Sequence, residues 1–235
     1  MSILDNFRNI FKIEDLRNRI LYVVGVLMVY RIGSYVTMPG VDAEALTTQT
    51  GDASSLMGLF DLFVGGAFSR AGVFALGIMP YITAAIIIQL MGAAVPYFQK
   101  LQREGEEGRR KINRLTRYGT VGITAVQAIG FGINLIATSP NAIVVSNTAF
   151  ILTSIIILTA GTTFVMWLGE RITDRGIGNG ISILIMIGII AALPTALINE
   201  ISTTNNAIII IVELAGLVLV IASCVLLTQG TRKIP

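Results

Sequence analysis

Histidine is absent from the 235 residues, and Cys224 is the only cysteine. The first absence removes the commonest metal ligand and the usual general base. The second excludes an internal disulfide. Cys224 stands in an apolar run, which predicts packing as a small hydrophobe. Charge is scarce too: 13% of residues are charged, against about a quarter in a soluble domain. No paired acids interrupt the apolar runs, so neither an enzyme nor a metal or cofactor site is expected.

Apolar residues fill the space that charge leaves. They make up 54% of the chain, the mean hydropathy is +0.77, and long apolar runs alternate with short charged stretches. That alternation predicts an all-α polytopic transmembrane protein, because a spanning helix needs about 20 mostly apolar residues. Six runs qualify: Ile20–Met38, Val73–Val95, Tyr118–Thr138, Ala149–Leu168, Ile177–Leu197 and Ala207–Thr228. None alternates as a barrel strand would, and a helix satisfies its own backbone in lipid. The first residues mix charges (Asp5, Arg8, Lys12, Glu14, Asp15, Arg17, Arg19) ahead of a full-length run, so no removable signal peptide is expected.

Fifteen of the seventeen basic residues fall in the N-terminal stretch, the second-to-third and fourth-to-fifth connections, and the C-terminus. The opposite connections hold only Arg70, and Arg31 lies within the first run. The positive-inside rule then puts both ends of the chain in the cytosol.

The segment 39–72 is too long for a simple turn. Leu56, Leu59, Phe60, Phe63 and Val64 recur at helical spacing and predict a short helix over Ser54–Phe68, ending at Gly65-Gly66. At about 15 residues it cannot span. It is either a re-entrant piece packed inside protein or an amphipathic helix lying on the membrane surface.

Ile78, Ile82 and Ile86 share a helical face. They either pack ordinarily or form an apolar constriction that excludes water and ions. Gln89 is one of few polar groups in that run, suited to a bond with another helix or to an interface that opens. The stretch 103–111 mixes Arg109, Arg110 and Lys111 with Glu104, Glu106 and Glu107. It reads as a solvated loop that fixes topology, or as a docking surface for an anionic partner; the acids leave nucleic-acid binding weakly supported. Glycines 176, 178 and 180 lack the strand that a phosphate loop requires and let the chain turn back into the bilayer. Asn179 either caps the next helix or lines a wet cavity. Arg31 and Glu213 are the two intramembrane charges; Arg31, near the outer end of its run, can snorkel.

Several longer strings carry a resemblance. They are Tyr30-Arg-Ile-Gly-Ser34, Phe60-Asp-Leu-Phe-Val-Gly-Gly-Ala-Phe-Ser-Arg70, Phe74-Ala-Leu-Gly-Ile-Met-Pro-Tyr-Ile82, Glu104-Gly-Glu-Glu-Gly-Arg-Arg-Lys111, Met166-Trp-Leu-Gly-Glu170 and Arg175-Gly-Ile-Gly-Asn-Gly-Ile-Ser182. In order and spacing the chain resembles the bacterial SecY family, the protein-conducting channels of the general secretory pathway. The resemblance implies an inverted-repeat channel of ten spans, of which this chain supplies six plus a short re-entrant plug. It implies a cytosolic N-terminus at 1–19 and a five-span half at 20–197 that contains the plug at 54–68. Residues 198–235 are then the sixth span and the start of a cytosolic loop.

The same resemblance assigns roles. Leu56, Leu59, Phe60, Phe63 and Val64 belong to the plug; Ile78, Ile82 and Ile185 match the pore ring. Ile86, Gln89 and Asn179 fall near the lateral gate or the pore. Arg109, Arg110, Lys111, Arg171 and Arg175 lie in loops near the ribosome and the SecA motor. Implied partners are SecE- and SecG-type subunits, signal sequences, nascent polypeptides and membrane lipid, with ribosomal RNA as the one nucleic-acid contact. The implied setting is the bacterial inner membrane. Two other classes compete: a secondary transporter, against which the spans offer few charged groups to hold a coupling ion, and a membrane assembly factor without transport. The chain stops where the long sixth-to-seventh loop of the family would begin, so a piece of a longer protein is expected.

Overall fold

The computed structural model describes residues 13–47, 56–203 and 207–229. Among them the chain is helical apart from turns and two isolated β-bridges. The helices are α1 (Glu14–Tyr35), α2 (Ala43–Thr47), α3 (Leu56–Val64), α4 (Met79–Ala94), α5 (Pro96–Arg103), α6 (Glu106–Thr138), α7 (Asn147–Arg175), α8 (Gly180–Thr203) and α9 (Ala207–Gln229), with a 3-10 turn at Pro140–Ala142. α6, α7, α8 and α9 are long and apolar enough to cross a membrane. α4 and α5, bent by 98° where they meet, add a fifth if the pair counts as one span. α1 is not among them, because Arg31, its tyrosines and its glycines dilute the apolar run.

Three sequence expectations shift. The second run becomes helical only at Met79, since residues 71–78 form successive tight turns closed by Ala75 N–H to Gly72 O, Gly77 N–H to Phe74 O and Met79 N–H to Leu76 O. Gly77 takes φ +52°, and Pro80 enters in the first turn of α4, where its missing N–H costs nothing. Next, the loops expected to carry Arg109, Arg110, Lys111, Arg171 and Arg175 are largely helical: α6 starts at Glu106 and α7 runs through Arg175. Good helix formers there continue the spans instead of breaking them. Only Gly105 (φ +69°) turns the chain, and Gly108 packs on the Leu101 carbonyl so that α5 folds back on α6. Finally, the short outer helix is α3, described from Leu56 to Val64, with the expected start at Ser54 outside the described residues, and it ends at Gly65-Gly66, both at positive φ (+70° and +85°).

The chain forms two units, Met1–Ala191 and Ala192–Pro235. In the first, α6 packs along α4 and α7 through small side chains, as helices in lipid do when only close approach holds them together. Gly119 meets Ala84, and Gly132 meets Ile151 and Ser154. Thr116, Thr120 and Thr124 are buried, each hydroxyl donating to the carbonyl four residues earlier at 3.0, 2.8 and 2.7 Å, so their polarity is absorbed within α6. At one end, residue 37 bridges to 72 and residue 41 to 143, tying three connections together. At the other end, Arg117 of α6 meets Glu170 of α7 at 2.8 Å, and Gly176 packs against Val23 of α1. The basic segments of α1, α5–α6 and α7 therefore gather at one end of this unit.

The second unit holds the last part of α8, which contains Pro194, and α9. The described side chains of α9 from Ile211 to Thr228 are exposed, Glu213 included. Cys224 is exposed as well, contrary to the packing expected of it. Lipid tails are as apolar as leucine, so such a helix needs no protein cover.

Candidate functional site

One of the two apolar clusters of the first unit is built on Val23, Tyr30, Phe74, Ile78, Val165, Met166, Leu168, Ile172 and Leu184, with Val26, Leu27, Tyr81, Ile82, Ile181 and Ile185 packed against it. Four stretches of sequence meet there: α1, the 71–82 turn and first turn of α4, the C-terminal half of α7, and the start of α8. All three isoleucines singled out by the sequence, Ile78, Ile82 and Ile185, belong to it. Ile78 precedes α4 and is buried, while Ile82 and Ile185 are half-buried. Its polar side-chain atoms are the hydroxyls of Tyr30 and Tyr81.

Ile86 departs from its expected companions. It is 51% exposed, and Gln89 one turn on is exposed too, so this side of α4 faces away from the described chain. Asn179 lies elsewhere, at the start of α8. Its Oδ1 accepts from Ile181 N–H at 3.0 Å and Ser182 N–H at 3.5 Å, the bonds of a helix cap. Around it, Thr173 Oγ1 accepts from Gly180 N–H at 2.9 Å and donates to the Gly169 carbonyl at 3.0 Å. A Cβ on Gly180 would strike that same carbonyl, and Gly178 takes φ +70°. The three glycines thus serve a close turn and not a phosphate. Asn179→Ala is expected to lower stability by about 1 kcal/mol, read as a small shift of the unfolding midpoint in detergent with the helix content of the folded protein unchanged.

The basic candidates are spread along one end. Arg109, Arg110 and Lys111 are exposed in the first turns of α6, with Arg110 at 4.0 Å from Glu106 and Lys111 at 3.6 Å from Glu104. Arg175 is exposed at the end of α7. Arg171 is half-buried, its guanidinium 5.3 Å from the centre of the Trp167 ring. Trp167 ends a column of stacked rings, Tyr30, Phe74, Phe164 and Trp167, with centroids 5.8–5.9 Å apart. This column joins α1, the 71–78 turns and α7; only Phe164 and Trp167, three apart on α7, are near in sequence.

α3 sits beside the apolar cluster. Val64 is buried against Gly77, and Phe63 is partly exposed. Leu56, Leu59 and Phe60 belong to α3, but their side chains lie outside the described residues. The end of α3 is knotted: Asp61 Oδ1 accepts from the N–H groups of Phe68 (2.9 Å) and Ser69 (3.1 Å), and its carbonyl accepts from Gly66 N–H. Gly188 of α8 lies directly on the Phe63 carbonyl, with no room for a Cβ.

A short helix lies among longer ones beside this apolar cluster, and comparison with known proteins gives the family. A family model, SecY, matches residues 72–235. The chain belongs to the SecY family. It is 42% identical to the protein translocase subunit SecY of Vibrio cholerae over 227 residues, covering 94% of this chain and 51% of that protein. The SecY of Escherichia coli gives the same identity and the same coverage. That of Buchnera aphidicola subsp. Schizaphis graminum is 44% identical over 237 residues, covering 97% of this chain and 54% of the relative. The chain spans about half the length of the curated SecY relatives it matches. The SecY helices described above are those of a polytopic membrane protein, with its functional candidates concentrated in the first unit.

Proposed function

We propose that this chain forms the N-terminal part of the central subunit of a protein-translocation channel, passing unfolded secretory chains across the bacterial inner membrane and releasing membrane segments into lipid. The observation that carries this reading is the meeting of Ile78, Ile82 and Ile185 in one apolar cluster beside α3. A ring of isoleucines suits such a task. It seals against water and ions, adapts to any side chain that passes, and offers no strong bond that would hold the substrate back. α3 is the plug, α1 crosses the membrane as a sixth span, and the basic end of the first unit faces the cytosol, where lysine and arginine accumulate. There the exposed Arg109, Arg110, Lys111 and Arg175, with Arg171, meet the ribosome or the SecA motor, which supplies the energy. The exposed face of α4 with Ile86 and Gln89 forms one side of the lateral gate. SecE- and SecG-type subunits and the rest of the SecY chain complete the channel.

The test is photo-crosslinking in the full-length channel with a secretory chain arrested in transit. A photoreactive residue at Ile82 should crosslink to that chain, whereas one at Ile156, exposed on the outside of α7, should not. Equal yields from both positions, or none from Ile82, would remove the pore from this cluster.

A further inference from the structure

An arginine in the apolar run of α1 is costly unless it is paired. Arg31 has partners, and they are specific. Its Nη1 donates to the Gly65 carbonyl at 2.9 Å and its Nη2 to the Tyr35 hydroxyl at 3.2 Å. Its guanidinium also lies 5.1 Å from the centre of the Tyr35 ring. A second guanidinium, that of Arg70, lies 4.4 Å from the same ring. Gly65 is the residue that ends α3, in a left-handed conformation open to glycine. Carbonyls at a helix C-terminus lack intrahelical partners and carry partial negative charge, so a cation there is doubly favoured.

We propose that Arg31, seated on Tyr35, is the clasp that holds α3 in its closed position, and that breaking its bond to the Gly65 carbonyl releases the helix. Arg31 and Tyr35 are positioning residues: they act through α3, and this role rests on the reading of α3 as the plug. Three features suit them to it. The bond goes to backbone, so it holds whatever side chains the rest of α3 carries. The Asp61 knot keeps residues 61–69 folded as one body, so a single attachment governs all of it. The Arg70 Nη1 is buried without a hydrogen-bond partner when α3 is closed. That unmet donor penalises the closed state and gains a partner when Gly66, on which Arg70 rests, moves away. One strong charge-assisted bond against one unmade bond leaves the two positions close in energy, as a plug that must open and reclose requires.

The experiment uses the full-length channel assembled with its partner subunits, freed of cysteine (Cys224→Ser in this part) and carrying Val64→Cys. Val64 is buried against Gly77 when α3 is closed, so a membrane-impermeant maleimide reports its release. Resting ion conductance in planar bilayers is read in parallel. Arg31→Met should speed labelling by about tenfold or more, the effect of losing a hydrogen bond to a charged donor. Arg31→Lys, which can still reach the carbonyl with one donor, should fall between. A protein weakened only in its packing would not be rescued by lysine.

Unchanged labelling in Arg31→Met, with or without a change in conductance, overturns the clasp. Equal labelling of the methionine and lysine variants overturns it too. Faster labelling with unaltered conductance keeps the clasp and removes the plug reading, as would unaltered conductance after deletion of residues 56–64.

Discussion

Gly161→Val leaves little or no folded SecY chain in the membrane: that is the expected result, and it is the largest effect on stability anticipated for a single site. Gly161 is buried on α7, and a Cβ built there falls on the Val73 carbonyl oxygen, with the Val73 carbonyl carbon and Cγ1 both 3.2 Å away. A side chain in the way could rotate; a backbone carbonyl cannot. Nor can the Val73 backbone retreat, because its N–H is bonded to the Val36 carbonyl at 2.8 Å and its neighbours pair Met38 N–H with Ala71 O at 2.9 Å. α7 must therefore move off the 71–78 turns, which separates Phe164 from Phe74 and loosens the cluster around Ile78. Overpacking typically costs about 1–3 kcal/mol and more where nothing can yield. A loss of about 3 kcal/mol or more is a large part of the stability a protein has. Protease resistance in detergent and the unfolding midpoint measure it. Gly122, which has open space around the site of its Cβ, is the control: Gly122→Val should be nearly silent. Equal behaviour of the two variants would refute the close approach.

The second large effect is functional. Replacing Ile78, Ile82 and Ile185 together by serine in the complete channel is expected to raise resting ion conductance by at least about tenfold. Full burial of an isoleucine is worth about 1.5–3 kcal/mol of removal from water, less for the half-buried Ile82 and Ile185, and about 1.4 kcal/mol off a barrier is tenfold in rate. Serine both shortens the side chain and offers water a partner, so an apolar seal becomes a wet one. Ile156→Ser on the exposed side of α7 should leave conductance alone. Unchanged conductance in the triple variant would mean that these residues pack the resting protein without sealing anything.

Ile78 and Ile82 show how far periodicity reaches. Their spacing with Ile86 predicts one common face, and the structure keeps the first two in the apolar cluster while exposing the third. Ile82 and Ile86 lie four residues apart in the same helix, so the difference is not one of face: the cluster packs against the first turn of α4 and leaves the next one bare. The 71–78 turns themselves were concealed by their composition, because Val73, Phe74, Leu76 and Ile78 read as an apolar span. Gly72 and Gly77, two ordinary residues for a membrane helix, were the only trace. Asn179 and Gly65-Gly66 were legible in advance because a cap and a left-handed turn depend on residue type within a few positions.

The sequence by itself determined the class of the protein, the near-complete helicity, the gathering of basic residues at one end and the family. Each is a sum or pattern along the chain, since lipid demands long apolar helices whatever their neighbours. The tertiary structure alone decided that Arg31 bonds to Gly65, that Gly161 and Gly188 lie on backbone carbonyls, and that Tyr30, Phe74, Phe164 and Trp167 stack into one column. Apart from Phe164 with Trp167, these pairings join residues 34 to 125 positions apart. They arise from how closely two backbones approach, a distance that no local property of either segment specifies.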